Sequence, residues 1–586
     1  MDRTWTWRDW IFLLLFLFLV FLIFLQIKQN DRQYERLNEI SDELAELRRL
    51  VARGGIVAPT PGDDNQTSEI PTGDWLVIRM QEPAGTLNPI TYKDAYAGSV
   101  NGYIMESLLE RNPKTLKLEP RLAESMPEIS EDKKQFTFRL RKGIHWQDGP
   151  ELTADDVVFS FHTIMNPKVD CQNIRNYFQD VEKCEKLDQY TVRFTTKKVY
   201  WLWVSQLGGM AIVPKHLFQY DEATAEEFNR NPWGLKPIGT GPYRFLKWDE
   251  GQQIVLVRDA RYWNRKKAPH VERIVFKFVL NDTAAMELVK KEEIDSYGPS
   301  EEQWFRDAME SEVVQHYRRM TYNSLFYNYI GWNQRSELFK DRRVRLAMTH
   351  AVPREKFLKT RMRGLGKVVT GNFYVGGDAY NREIQPYPYD LAEARRLLDE
   401  AGWKDTDGDG IRENKDGRKF EFQLLLPSER PVYADMALTV KAELAKIGVK
   451  MTTRALDWAS FITEIDNRNF DAVTLGWSLS LEPDPYQLWH STQTGASGSN
   501  FCNFVNKEAD RIIEDARVEF DDDKRNRMFH RFHEIMHDEQ PYTFLFNRPA
   551  LRLLHNRFEN VNVYELGPYS WEWWVKPENR KYGLAY

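Results

Sequence analysis

Residues 532 to 541 read FHEIMHDEQP and place His533, Glu534 and His537 in the spacing His-Glu-x-x-His. On a helix this spacing brings two imidazoles to one face, where they can hold a zinc ion beside a glutamate acting as general base. The corresponding chemistry is peptide hydrolysis. A zinc peptidase is therefore one hypothesis from these residues.

The helix that carries these residues argues against that chemistry. His530, His533 and His537 lie on its polar side, where we predict a solvated helix. Zinc also needs a third ligand, and Gln540 and Pro541 interrupt the longer form of the motif. The conceivable third ligands are Glu559, Glu565 and Glu572.

A second set of residues has the chemistry of a cation site. Asp405, Asp407, Asp409, Glu413 and Asp416 occupy positions 1, 3, 5, 9 and 12 of a calcium loop, with glycine at position 6. A helical pattern precedes the loop but a strand follows it, unlike an EF-hand. Calcium as a structural clip and an ordinary surface turn are the alternatives, and no other cofactor is expected.

Glu482 and Asp484 raise the question of a glycosidase carboxylate pair. The prolines on both sides of Asp484 predict a rigid loop but provide no facing partner at the separation that hydrolysis requires. The sequence has neither a Gly-x-Ser-x-Gly nucleophile elbow nor a phosphate-binding P-loop. An ATPase that supplied energy would be another chain.

The helices and strands that position these residues must form more than one hydrophobic core. The chain has 586 residues, so at least two globular lobes are expected. A net charge of -6 leaves no basic surplus to neutralise phosphates, which argues against a nucleic-acid partner. The 19 Trp residues serve the core and can also provide stacking area at a binding surface.

The amino-terminal region divides into three predicted segments. Residues 1–30 contain an apolar run from Trp10 to Ile27 that can cross a bilayer, and we predict an uncleaved transmembrane anchor. Residues 31–52 predict a helical stalk with the spacing of a short coiled coil, and residues 53–73 predict a flexible linker. Basic residues on both sides of the apolar run leave its orientation open.

The globular part begins near Asp74 and changes character along its length. Its first half mixes alternating, mostly antiparallel strands with a helix that Thr153 and Asp156 begin as a capping box. Its second half alternates strand and helix, which predicts parallel strands with helical crossovers. Ligands of such sheets bind beyond the strands' carboxyl ends, and the last strand ends at Gly476 and Trp477. We therefore expect α+β and α/β lobes with a cleft between them.

Six stretches, taken in order, carry a resemblance to a known family. They are GTLNPI, FTFRLRKGIHWQDGPELTADDVVFSF, GTGPYRF, FKDRRVRLAMTHAVPRE, AGWKDTDGDGIREN and FDAVTLGWSLSLEPDP. Together they resemble the oligopeptide- and dipeptide-binding proteins of ABC importers, solute-binding family five. The resemblance implies a bilobed periplasmic-binding-protein-like receptor of type II, cluster C, that closes on a solute and delivers it to a membrane permease. It assigns no catalytic role to the helix of His533.

The resemblance also implies how the chain is divided. Lobe one would comprise residues 74–330 and 541–586, lobe two residues 331–540, and the chain would cross a two-strand hinge. The globular part would lie on the periplasmic, extracytoplasmic side, with the membrane and an ABC permease as partners. There, Cys171 and Cys184 are close enough in sequence to form a disulfide, or they remain free, and Cys502 is unpaired.

The expected solute site combines a rim on lobe two with a segment of lobe one. In peptide-binding relatives an aspartate three residues after the tryptophan pairs with the ligand's ammonium. Here that residue is Ser480, so either Glu482 replaces it or the solute lacks a free amino end. The expected contacts are Gly476, Trp477, Ser478, Ser480, Glu482 and Asp484 on lobe two, and Tyr92, Asp94 and Tyr96 on lobe one.

Three hypotheses from different classes follow. A transport receptor for peptides predicts tight binding and lobe closure without turnover, with an oligosaccharide as the alternative solute. A zinc peptidase predicts metal bound at His533 and His537. A membrane-tethered sensor predicts a signalling partner.

Overall fold

The computed structural model describes residues 70–428, 431–495 and 498–583. The predicted anchor (1–30), the stalk (31–52) and most of the linker (53–73) lie outside these ranges. Within them, no helix has both the length and the apolarity needed to span a bilayer.

The first large sheet has seven strands and uses both ends of the described chain. Strand Trp75–Met80 pairs in parallel with Arg273–Phe278, and Ala550–His555 returns from the far end to pair antiparallel with Tyr317–Tyr322. The carboxyl-terminal segment is therefore part of the first lobe. In spatial order the strands are Tyr317–Tyr322, Ala550–His555, Ser296–Tyr297, Trp75–Met80, Arg273–Phe278, Gln253–Arg258 and Tyr243–Asp249.

A buried ion cluster joins these two ends of the chain. Arg557 donates from Nε to Asp74 and from Nη2 to Asp295, each at 2.9 Å, and the three side chains are at most 3% exposed. Burial alone would lower the pKa of Arg557, but the hydrogen bonds and charges of Asp295 and Asp74 outweigh burial and raise that pKa. The cluster is fully enclosed and its cation is paired.

A four-stranded antiparallel sheet carries the predicted capped helix. In helix Ala154–Met165 the capping box is confirmed, because Asp156 accepts a hydrogen bond from the Thr153 amide at 2.9 Å. Cys171 and Cys184 are buried free thiols in the core beside this sheet. The strands follow in the order Glu128–Ile129, Gln135–Arg139, Thr191–Thr196 and Val181–Asp188.

The second large sheet contains the predicted parallel strands. Glu421–Pro427 pairs in parallel with Lys450–Leu456 on one side and Ala472–Ser478 on the other. The crossover helices Pro431–Ala445 and Trp458–Asp466 pack into two different cores. The first crossover runs from the central strand to one side, and the second runs from that outer strand back past the centre to the other side, which creates a topological switch point at the carboxyl ends of Glu421–Pro427 and Ala472–Ser478. The strand order is Lys450–Leu456, Glu421–Pro427, Ala472–Ser478, Phe326–Trp332 and Tyr542–Phe544.

Two crossings of the chain connect the large sheets. Asn547 in the second crossing donates from its side chain to the carbonyls of Ser324 and Phe326 at 2.7 and 2.6 Å, so the crossings are bonded to each other. Strands Phe326–Trp332 and Tyr542–Phe544 pair within the second sheet. The predicted lobe boundary at 330/331 divides strand Phe326–Trp332, and the one at 540/541 assigns strand Tyr542–Phe544 to lobe one although it belongs to the second sheet. The alternation of residues in a strand does not show which sheet the strand joins.

Helices cover both large sheets. The α-helices of the first lobe are Ala95–Ile104, Ala154–Met165, Gln172–Arg175, Trp203–Gly208, Lys215–Phe218, Asp282–Lys290, Glu301–Phe305 and Ser311–His316. Those of the second lobe are Arg342–Ala351, Arg354–Thr360, Leu391–Glu400, Pro431–Ala445, Trp458–Asp466, Tyr486–Trp489, Lys507–Val518 and Asp522–Glu539. Short paired strands outside the main sheets are Leu109–Arg111 with Leu118–Pro120, Lys367–Val368 with Phe546–Asn547, Phe558–Glu559 with Trp574–Val575, and Val563–Tyr564 with Gly567–Pro568.

Candidate functional site

One edge of strand Ala472–Ser478 faces the switch-point crevice. Its pairing with Phe326–Trp332 continues to Ser478, whereas its pairing with Glu421–Pro427 involves only Ala472 and Val473. In the described part of the chain, no strand pairs with the other edge of residues 474–478. An extended peptide can bind such an edge by adding a strand.

Gly476 and Trp477 form this wall in different ways. A Cβ atom at Gly476 would lie 2.0 Å from the Phe326 ring, so only glycine fits there. The half-buried Trp477 ring stacks on Tyr329 and Phe501, with centroid separations of 6.4 and 5.8 Å. We expected an aromatic face at the cleft, and these two neighbours cover part of the Trp477 ring. The role of Trp477 as a solute contact stays a prediction.

The rim carboxylates contact the first lobe. Glu482 pairs with Arg111 at 2.9 Å, and Asp484 accepts a hydrogen bond from the Tyr200 hydroxyl at 2.7 Å. Arg517 of the second lobe lies 3.1 Å from the same Asp484 oxygen. Both carboxylates therefore have partners in the protein. The replacement of the missing ammonium anchor by Glu482 stays a prediction.

Further contacts join the lobes beside this rim. The guanidinium carbon of Arg525 lies 3.5 Å from the ring centroid of Trp201, and the Trp201 amide donates to the Arg517 carbonyl at 3.0 Å. Phe520 stacks on Phe136 with a centroid separation of 6.5 Å. Burial, followed by the charge of Asp484, raises the pKa of Tyr200, so its hydroxyl stays protonated as a donor.

Ser478 and Ser480 remain exposed on the rim. The Ser480 hydroxyl accepts a hydrogen bond from the Glu482 amide at 3.3 Å. This contact shapes the turn that carries Glu482 towards the first lobe. Ser480 does not take over the charge of the aspartate that it replaces.

A cavity of about 410 Å³ lies in the first lobe. Glu110 is part of its wall, and the next residue, Arg111, is the partner of Glu482. The cavity therefore lies close to the rim of the second lobe. Other wall residues are Tyr92, Asn101, Glu106, Arg121, Tyr569 and Trp571.

Two kinds of polar group line this cavity. Arg121 is 2% exposed and pairs with both Glu106 and Glu110, so these charges are compensated within the protein. Burial alone would lower the pKa of Arg121, but Glu106, Tyr262 and Glu110 together outweigh burial and raise that pKa. Asn101 differs, because it is 5% exposed and neither its Nδ2 nor its Oδ1 has a hydrogen-bond partner within the described part of the chain. Unpaired buried polar groups are rare, so Asn101 is a candidate ligand contact.

The predicted lobe-one contacts have different positions. Tyr92 lines the cavity, whereas Asp94 caps helix Ala95–Ile104 by accepting from the Ala97 amide at 2.7 Å. Tyr96 packs partly buried against the core. Asn101 was not predicted from the sequence. An asparagine among the buried positions of this helix was a usable signal, and these positions are Ala97, Val100, Asn101 and Ile104.

The His-Glu-x-x-His segment is structural. His533 is 0% exposed, its Nδ1 accepts from the Asn381 amide at 3.1 Å, and its Nε2 lies 3.0 Å from the Thr370 hydroxyl. Both nitrogens are engaged, and burial lowers the pKa of His533 to about 3. His537 stacks on Tyr387 at 4.2 Å between centroids, and burial lowers its pKa to about 4. The predicted solvated face was wrong, because residues 370–387 pack over it.

A second histidine cluster contains Glu292, His316 and His555. Nδ1 of His555 accepts from the Arg557 amide at 3.1 Å, so the neutral ring carries its proton on Nε2 and donates to Glu292 at 2.8 Å. Lys581 pairs with the same carboxylate at 2.9 Å. These contacts form an internal hydrogen-bond network.

Comparison with known proteins identifies the family. The model for "Bacterial extracellular solute-binding proteins, family 5 Middle" matches residues 117–499. The chain belongs to this family. It is therefore a solute-binding protein of the transport-receptor type and not an enzyme.

Relatives extend the match over the globular part. The oligopeptide-binding protein AppA of Bacillus subtilis is 32% identical over 523 residues, which cover 86% of this chain and 92% of that protein. The solved structure of AppA with a nonapeptide has a TM-score of 0.66 at 28% identity, covering 87% and 100%. HbpA2 from Haemophilus parasuis has a TM-score of 0.74 at 23% identity, covering 86% and 100%, and shares the bilobed fold.

Proposed function

We propose that this chain is the receptor of an ABC importer and captures peptides between its lobes. The observation that carries the proposal is the strand edge of residues 474–478 at the switch-point crevice. Strand addition satisfies the backbone groups of an extended peptide whatever its side chains. The similarity to AppA, solved with a nonapeptide, supports this assignment.

The proposed receptor does not hold the peptide's ammonium through its rim. Glu482 and Asp484 are already engaged by Arg111, Tyr200 and Arg517. Removing one partner of a buried, paired charge typically costs about 2 to 5 kcal/mol. An ammonium that has no such partner contributes far less. Acetylation of the peptide's amino end should therefore change affinity by less than about threefold.

Calorimetric titration of the full-length chain in detergent tests the proposal. The panel contains a nonapeptide, its acetylated form, a tetrapeptide, a dipeptide and an oligosaccharide. We expect saturable binding of the nonapeptide and its acetylated form, without turnover. Binding of the oligosaccharide alone would assign a different solute class, and loss of binding on acetylation would show that a carboxylate anchor exists.

Asn101 permits a separate test of the cavity. In Asn101→Leu, the side chain keeps its approximate size but loses its polar atoms, so we expect at least fivefold weaker solute binding without loss of thermal stability. Asn88 is the matched control, because it is 1% exposed and its Oδ1 accepts from the amides of Ile90 and Thr91 at 3.0 and 3.3 Å. Asn88→Leu should lower the melting temperature. Unchanged affinity in Asn101→Leu would remove the cavity from the site.

We also propose that residues 1–30 anchor this receptor to the membrane, with the globular part outside the cytoplasm and an ABC permease as partner. The apolar run from Trp10 to Ile27 supports the anchor. Detergent, but not a high-salt wash, should release the full-length chain from membranes. Uptake of labelled peptide should be lost in cells that lack the receptor, and unchanged uptake would contradict delivery to a permease.

A further inference from the structure

The loop of residues 405–413 brings four carboxylates together on the second lobe. One oxygen from each of Asp405, Asp407, Asp409 and Glu413 lies within 4.8 Å of the others. The three aspartates are exposed, whereas Glu413 is 5% exposed. The group therefore has one buried member and an accessible side.

The buried member has an oxygen without a partner. Oε2 of Glu413 accepts hydrogen bonds from the Thr406 amide and hydroxyl, each at 2.9 Å. Oε1 is buried and has no hydrogen-bond partner among residues 70–428, 431–495 and 498–583. An ionised carboxylate oxygen in this position is costly unless a cation or a donor reaches it. This oxygen is what separates the group from an ordinary cluster of surface acids.

The loop backbone is already folded around the carboxylates. The chain enters and leaves through the pair Lys404 and Glu413, whose amides and carbonyls exchange hydrogen bonds at 2.9 and 2.8 Å. Asp405 accepts from the amides of Gly408 and Gly410 at 2.8 and 3.0 Å. Gly410 has a φ of +86°, in the left-handed region that glycine favours. The oxygens are thus held near one another before any ion binds.

Of the lysines that the structure describes, one contacts this group. Lys419 contacts Asp409 and lies 3.4 Å from Asp407 Oδ2. Its contact with Asp409 lowers the pKa of that carboxyl. One ammonium beside four carboxylates leaves three negative charges. These three negative charges favour the binding of a divalent cation over pairing with a second lysine.

We propose that Asp405, Asp407, Asp409 and Glu413 bind one calcium ion. All four donors are hard oxygens, which suit calcium and magnesium rather than zinc. Calcium accepts six to eight oxygens with variable geometry, whereas magnesium demands a near-ideal octahedron and usually keeps several waters. Four carboxylates in one loop therefore favour calcium. Asp416, at position 12 of the sequence pattern, is not part of the group.

The ion would be structural, because the loop lies at the opposite end of the sheet from the rim. Phe420, just before strand Glu421–Pro427, donates its amide to the Arg412 carbonyl at 2.7 Å, so the loop adjoins the strand's amino end. The rim follows the carboxyl end of the parallel strand Ala472–Ser478. Calcium should therefore change the stability of the second lobe and leave peptide affinity unchanged.

Thermal unfolding of the full-length chain in detergent, with EDTA or with CaCl2 up to about 5 mM, tests the site. We expect calcium to raise the melting temperature by about 3 °C or more, through binding to the folded state alone. Asp405→Asn and Glu413→Gln should lose this shift. Asp416→Asn, an exposed acid of the same segment outside the group, should keep it.

Equilibrium dialysis of the wild-type chain with radioactive calcium makes the test independent of variant folding. One bound calcium per chain supports the proposal, and none at 5 mM would overturn it. An equal melting shift with MgCl2, or a full shift in both loop variants, would overturn it as well. Because the readout is calcium-dependent stability, its failure leaves the proposed peptide function intact.

Discussion

Two acidic segments of the second lobe use the same residue types in opposite ways. At the rim, Glu482 and Asp484 each contact partners from elsewhere in the chain, at 2.7 to 3.1 Å. In the loop of residues 405–413, only Asp407 and Asp409 of the four carboxylates contact Lys419, and Glu413 Oε1 has no partner among the residues that the structure describes. The rim acids are thus saturated by the protein, and the loop acids are not.

The difference shows that the type of a residue does not by itself define a site. A carboxylate with a cationic partner is part of the structure, and one without such a partner is available to an external cation. The rim pairs join the two lobes, so they influence closure. The loop group stays within one lobe, so it influences only the stability of that lobe.

We expect the largest effect at Asp74 and Asp295, two carboxylates that are more deeply buried than those of the rim or of the loop. Arg557→Met would leave Asp74 and Asp295 buried without their cation, so we expect a loss of about 3 to 5 kcal/mol in the free energy of unfolding. Arg111→Met at the rim, where Arg111 and Glu482 are 28% and 21% exposed, is the matched control and should cost less, because water still reaches both side chains. Denaturant unfolding measures both, and equal losses would contradict the role assigned to burial.

His533 extends the comparison to a buried group that is neutral. The pKa of His533 is about 3 in the folded chain and near 6.5 in the unfolded chain. Its contribution to the free energy of unfolding is therefore complete above pH 6.5 and is lost as the pH falls towards 3. At pH 5 the loss should be about 2 kcal/mol. His533→Gln should remove this part of the pH dependence between pH 7 and 5. His530→Gln on the same helix should retain it, and the same pH profile in both variants would refute the assignment.

Closure at the rim should show a smaller effect. Asp484→Asn weakens the contacts with Tyr200 and Arg517, so we expect a larger radius of gyration for the empty protein and solute affinity reduced about three- to tenfold. Ser480→Ala, which removes an exposed hydroxyl on the same loop, should change neither. X-ray scattering and calorimetry measure these quantities. An unchanged radius in Asp484→Asn would show that the rim does not hold the lobes together.

The smallest effect is expected from the lysine in the loop. Lys419→Met removes the ammonium that competes for Asp407 and Asp409, so calcium affinity should rise about threefold. Lys415→Met is the control, since Lys415 is exposed in the same segment and lies outside the carboxylate group. Calcium titration by dialysis measures the change. Weaker calcium binding in Lys419→Met would show that the lysine supports the site.

Much of the fold was predictable because its signals are local. The capping box at Thr153 and Asp156, the alternating strands and the parallel crossovers all depend on residues a few positions apart. The candidate site was less predictable. The sequence indicated the rim, Tyr92 and the acidic loop, but not that Trp477 stacks on Tyr329 and Phe501 or that the Asn101 side chain has no partner among the described residues.

The sequence by itself determined the order of the elements, the membership of the family and the positions of the acidic segments. Only the tertiary structure decided which of these groups have partners. Asp484 meets Tyr200 across 284 positions, and Arg557 meets Asp74 across 483. Periodicity and capping act over a few residues, whereas pairing and burial depend on groups that only the folded chain brings together. That is why the motif at His533 proved structural, whereas Glu413 has a carboxylate oxygen without a partner among the described residues.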